Sequence, residues 1–111
     1  MAGGIDASAA LRLVDLVEPT DRGIASRVLA KNGGGNVTLF AFDAGEGLSE
    51  HTAPFDALAL VLDGAMTLTI GGVAVAADAG TIVRMPAGVP HAVDARAASR
   101  MLLIMLREPK A

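Results

Sequence analysis

Two imidazoles are the candidates for chemistry: His51, in a strand that Pro54 interrupts three residues later, and His91, directly after Pro90, where a stiffened turn holds it still. An imidazole can ligate a metal, pair with a polar ligand or act as a general base. His91 closes the stretch Gly80 to His91, which reads Gly-Thr-Ile-Val-Arg-Met-Pro-Ala-Gly-Val-Pro-His. Pro86 and Pro90 fix φ, and Gly88 can take the positive φ of a tight reversal, so the histidine leaves the turn at a defined point. Nucleophilic chemistry has less support. The chain has no cysteine, and a Ser/His/acid triad would need Ser49 or Ser99 to find a histidine and a buried acid with no motif to bring them together.

Other side chains qualify by neighbourhood. Arg84 is the only basic residue of its strand and, with Met85, precedes the Pro86 turn, so the two are candidates to line a pocket mouth and to meet a carboxylate ligand. An ordinary solvated arginine is the preferred alternative. Met66, Met85, Met101 and Met105 read as adaptable core.

The elements that must position these groups are strands. Met66 to Ile70 and Val73 to Ala77 alternate on either side of Gly71-Gly72, which marks a hairpin with a primed turn. Further strands are expected over Gly23 to Lys31, Val37 to Asp43, Leu48 to Ala53, Phe55 to Asp63, Thr81 to Met85, His91 to Ala95 and Arg100 to Arg107, with Pro109 ending the ordered chain. Leu11 to Val17 is expected as an edge strand, Asn32 to Asn36 as a flexible hairpin tip, and Pro54 as an edge or a bulge. Eight or more short strands without a substantial helix describe an all-β antiparallel sandwich or barrel.

Composition narrows the partners. The 111 residues allow one domain, read as 1–111. Nine basic against twelve acidic residues give a net charge of -3, and the three aromatics are all Phe, so neither a phosphate-tracking surface nor a base-stacking platform is expected, and no nucleic-acid partner. The start of the chain has no basic run, and Asp6 interrupts any apolar signal region, so export is not expected and the cytoplasm is. The charge-free run Gly64 to Ala77 falls short of the roughly eighteen apolar residues of a membrane span. A hydrophobic share of 52% is high for so small a domain and predicts apolar surface covered by a partner, a symmetric homodimer being the simplest.

The spacing of Gly45, His51, Ala53, Ala57 and Gly64, and that of Gly80, Pro86, Gly88, His91 and Ala95, resembles the two motifs of the cupin superfamily. The first reads Gly-x5-His-x-His-x3,4-Glu-x6-Gly and the second Gly-x5-Pro-x-Gly-x2-His-x3-Asn, and the second matches at all but its last position. The likeness covers Asp43 to Ala95, with motif 1 at 45–64 and motif 2 at 80–95. It implies a small antiparallel β-barrel or jelly roll of the RmlC-like kind. It also implies a metal site of three histidines and a glutamate, of which only His51 and His91 are present. Ala53 replaces the second histidine, Ala57 (or Leu58) the glutamate, and Ala95 the asparagine.

Two histidines alone would hold a divalent transition metal loosely at most. The degenerate metal site therefore implies no tightly bound cofactor, and the preferred reading is a binding protein that takes a small molecule between the alanines and the two imidazoles. The alternative is a metal-assisted enzyme of the dioxygenase, isomerase or decarboxylase type using His51 and His91. In an undisturbed strand residues 51, 53, 55 and 57 share a face and exclude Asp56 and Glu50; a bulge at Pro54 would bring Asp56 in.

Overall fold

A computed structural model describes residues 4–107; Met1 to Gly3 and the expected end at Pro109 lie outside the described residues. Among the described residues the chain forms a 3₁₀ turn, Leu13–Asp15, and nine strands: β1 Ile24–Asn32, β2 Gly35–Phe42, β3 Gly47–His51, β4 Ala57–Asp63, β5 Ala65–Ile70, β6 Val73–Asp78, β7 Ile82–Met85, β8 His91–Ala95 and β9 Ser99–Leu106. They make a five-stranded sheet in the order β1-β2-β9-β4-β7 and a four-stranded sheet in the order β3-β8-β5-β6. Every pairing is antiparallel, and most join strands distant in sequence, which is a jelly-roll arrangement. No helix among the described residues is long and apolar enough to cross a membrane.

Local chemistry explains the best-defined corners. Gly71 and Gly72 take φ of +58° and +83°, the two positive values that a primed two-residue turn requires, and Ile70 pairs with Val73 across them. Gly64 has φ of +85°, and a Cβ there would meet the Ser99 hydroxyl and the Ala98 carbonyl, so the β4–β5 corner closes only over a hydrogen atom.

The inner faces of the sheets enclose one apolar cluster that includes Phe42, Val61, Met66, Leu68, Val93 and Met101, each at most 1% exposed. Met85 joins it, and Met105 packs against it, as expected of core methionines. Burying each large side chain of this kind contributes about 1.5–3 kcal/mol. Strand β2 is covered on both sides, because Val37, Leu39 and Ala41 belong to a second cluster on the outer face with Leu16, Val17 and Leu29.

That outer cluster corrects the reading of Leu11 to Val17, which is no strand. Leu16 and Val17 lie over the five-stranded sheet through their side chains, and Arg100 fixes the segment by donating to the Val17 carbonyl at 3.0 Å and to Glu18 and Asp63 at 3.2 and 2.8 Å. Apolar residues at every second or third position served a segment lying across a sheet, and no backbone ladder followed.

Candidate functional site

Two rows of side chains close one end of the sandwich. Across the larger sheet the register runs Asn36 to Met105, Met105 to Ala57 and Ala57 to Met85, so these four residues share the inner face as one row. Across the smaller sheet it runs His51 to His91 and His91 to Ile70. Two short crossovers link the rows directly: residues 52–56 lead from His51 to Ala57, and residues 86–90 from Met85 to His91. The rows therefore face one another at the mouth of the barrel.

The two histidines meet there because of a bulge. Leu48 pairs with Val93 and His51 with His91, so three steps on β3 oppose two on β8, and the extra residue falls at Ser49-Glu50 rather than at Pro54. By simple alternation His51 would point away from the face that Leu48 shares with the core; the bulge turns it inward beside His91.

The result is a specific pair. His91 is 5% exposed and His51 is exposed at the rim, with ring centroids 4.4 Å apart and planes at 70°. Their Nε2 atoms are 3.1 Å apart. His51 Nδ1 lies 2.8 Å from the Ser49 carbonyl oxygen, and His91 Nδ1 lies 3.2 Å from that of Val89. A carbonyl can only accept, so the tautomer that satisfies both contacts has each Nδ1 donating its hydrogen, and a ring that carries only that proton turns an Nε2 lone pair toward the other. Two lone pairs at that distance repel unless a cation lies with them: one proton, or one metal ion.

The pair fits a metal ion. Backbone carbonyls that fix the Nδ1–H tautomer and aim Nε2 are the usual outer support of a metal-ligating histidine. Nitrogens 3.1 Å apart are close enough for both to reach one shared ion at the usual distance of about 2.0–2.1 Å. Among the described residues no group of three or more His, Cys, Asp or Glu side chains surrounds it.

The remaining sequence candidates separate. Met85, 2% exposed, lies in the inner row beside Ala57. Arg84 points to the opposite face, where its guanidinium donates to Asp56 Oδ2 at 2.8 Å. Asp56 Oδ1 accepts the Ala87 N–H at 2.8 Å, so this carboxylate ties one crossover to the other and is turned away from the imidazoles. The Ala87 N–H first, and then Arg84, hold its carboxyl below the ordinary aspartate value. Glu50 is exposed in the bulge.

Residues 51–57 do not form the single undisturbed strand on which the parity argument rested, since 52–56 cross between sheets; Asp56 stays out because it is held elsewhere. Of the two missing donors, the glutamate position holds Ala57, 3% exposed in the apolar core, and the second histidine position holds Ala53, half-buried in the crossover; Ala95, at the asparagine position, is 2% exposed. Sequence reasoning missed Asn36 and Thr38, which share the inner face of β2 with Phe40 and Phe42; Thr38 is 8% exposed and its hydroxyl donates to Asn36 Oδ1 at 3.3 Å. The alternation back from the two phenylalanines carried that signal.

The cupin domain family matches residues 38–106, more than half of the chain and both histidines. The chain belongs to the cupin superfamily. Over its whole length this cupin is similar to a conserved protein of unknown function from Streptococcus pyogenes, at 31% identity and a TM-score of 0.90, covering 98% of that chain. It is also similar to a cupin superfamily protein from Desulfitobacterium hafniense, at 27% identity and a TM-score of 0.88, over 95% of this chain and 96% of the other. A cupin 2 conserved barrel domain protein from Leptotrichia buccalis is 34% identical with a TM-score of 0.84, over 87% of this chain and 47% of the other. No curated protein matches the chain.

Proposed function

We propose that this cupin binds a small molecule at the barrel mouth through a transition-metal ion held between His51 and His91. The observation that carries the reading is the pair of Nε2 atoms 3.1 Å apart, both rings anchored through Nδ1. With two protein nitrogens the ion keeps open positions for an incoming oxygen or nitrogen donor, and when bound it supplies Lewis acidity. The imidazoles orient the ion, Asn36 and Thr38 offer hydrogen bonds from the opposite wall, and the apolar row around Ala57 limits water on the inner side.

Elemental analysis of tag-free protein purified without chelator tests it. A near-stoichiometric metal lost in both His51→Ala and His91→Ala supports the reading; a metal unaffected by either variant, or none in the parent, refutes it. The small donor set favours a second reading, a metal-free pair sharing one proton and binding an anion. In that case the parent is metal-free and the pair shows a slowly exchanging imidazole proton by NMR. The expected homodimer belongs to the same proposal: Ile24 and Val28 stand exposed on β1 at the edge of the five-stranded sheet. Sedimentation of the same preparations should show a dimer, and a monomer at every concentration would refute it.

A further inference from the structure

The row opposite the histidines contains no further nitrogen base or carboxylate. It reads Asn36, Met105, Ala57, Met85. Ala57, at the place where the motif would carry a glutamate, is flanked on both neighbouring strands by methionine. Cross-strand neighbours on one face have Cβ atoms about 4.5–5.5 Å apart, so both thioethers grow from positions beside the methyl group. Facing sheets pack about 10 Å apart, a gap that a long unbranched thioether from one side and an imidazole from the other can span together. Met85 is 2% exposed and Met105 partly buried, so water does not compete freely on that side of the pair.

The chemistry of this donor set differs from that of three imidazoles and a carboxylate. Thioether sulfur is a soft, neutral ligand that favours copper(I), whereas zinc and the harder divalent ions gain little from it. Two neutral imidazoles and two neutral thioethers also leave a monovalent ion's charge uncompensated by only one unit, against two for a divalent ion in the same apolar wall. The geometry points to a copper(I) site at the barrel mouth, built from His51, His91, Met85 and Met105. This rests on the reading of the histidine pair as a metal-binding pair; it names the ion and places two weak thioether donors in the positions left open there, so that an incoming small-molecule donor binds by displacing one of them.

The test uses full-length, tag-free protein freed of metal and titrated anaerobically with copper(I) against a coloured copper(I) chelator, and in parallel with zinc(II) against a zinc dye. Met85→Leu and Met105→Leu conserve volume, and Met101→Leu, fully buried on β9 and paired with Val61 deeper in the core, is the control. Each of the first two should weaken copper(I) binding by at least about tenfold, the scale on which even outer partners of metal ligands act, and leave zinc affinity where it was. Met101→Leu should change neither. X-ray absorption at the copper edge should show sulfur scattering that the Met85→Leu/Met105→Leu double variant loses, a readout that a change in packing alone would not produce.

If both variants bind copper(I) as the control does, or the parent shows only nitrogen and oxygen neighbours, the thioether site is wrong. When His51→Ala and His91→Ala nonetheless abolish zinc and copper binding, the histidine pair survives that failure. When they too are without effect, both readings fall.

Discussion

Replacing Ala57 by glutamate tests whether its row faces the histidine pair. Ala57 is 3% exposed, between Met85 and Met105 on the adjacent strands, so four added heavy atoms must displace core side chains. Overpacking of this kind costs about 1–3 kcal/mol, and a buried carboxyl without a partner about 1–3 kcal/mol more. The metal-free Ala57→Glu protein is therefore expected to be about 2–6 kcal/mol less stable than the parent, which for a domain near 100 residues is a melting temperature lower by about 10 °C or more. Zinc reverses the sign of the carboxylate's contribution, because the substitution adds a third, charged donor to the two imidazoles. At zinc one hundredfold above its dissociation constant, about 2.7 kcal/mol returns.

The assay is thermal and urea denaturation of parent, Ala57→Glu and Ala57→Glu/His91→Ala, each with chelator and with zinc. Zinc should raise the single variant markedly more than the parent and should fail in the double variant. A metal-free variant as stable as the parent would place Ala57 in open solvent. An equal zinc response in parent and variant would mean that the new carboxylate does not reach the pair. Either result refutes the facing-row geometry.

Two further outcomes follow from named contacts. Gly64→Ala should destabilise well beyond the roughly 1–2 kcal/mol of a left-handed alanine, because its Cβ meets the Ser99 hydroxyl and Ala98 carbonyl; Gly88→Ala, at φ of +76° with open space around it, should stay near that lower figure. Equal shifts in urea midpoint for the two would contradict the close β4–β5 corner. For Asp56, the lowered carboxyl means that the folded state favours the charged form. Its contribution is thus complete above the ordinary aspartate value of 3.8 and is lost as pH falls through the depressed value. The difference in urea midpoint between parent and Asp56→Asn, open at pH 7, should narrow below pH 3.8; a difference unchanged down to pH 3 would deny the carboxylate's charged role.

Much of the architecture was legible because its causes are local. The Gly71-Gly72 link, the Pro86 to Pro90 turn and the alternation of β2, β5 and β6 depend on neighbours along the chain, and the structure follows them. The N-terminal segment was misread because its alternation has a non-local cause, the outer face of β2 and β9 on which Leu16 and Val17 rest. Asp56 was judged by strand parity, yet its fate was set by an N–H and a guanidinium some thirty residues away. Asn36 and Thr38 read as turn and strand residues: the alternation back from Phe40 and Phe42 marks their face, but nothing local shows what β9 and the opposite sheet enclose on it.

By itself the amino-acid sequence determined that this is a small jelly roll of the cupin kind with two of its motif histidines and alanine in place of the other donors. Periodicity, glycine and proline act over a few residues and sufficed for the strands and turns; the cupin kind and its donor set follow from the resemblance of the two motifs. Only the tertiary structure decided that the two imidazoles, forty residues apart in the chain, bring their Nε2 atoms to 3.1 Å, and that methionines flank the glutamate position. Both facts come from the register of strands that meet only when the sheets assemble, and one extra residue at Ser49-Glu50 decides which way His51 points.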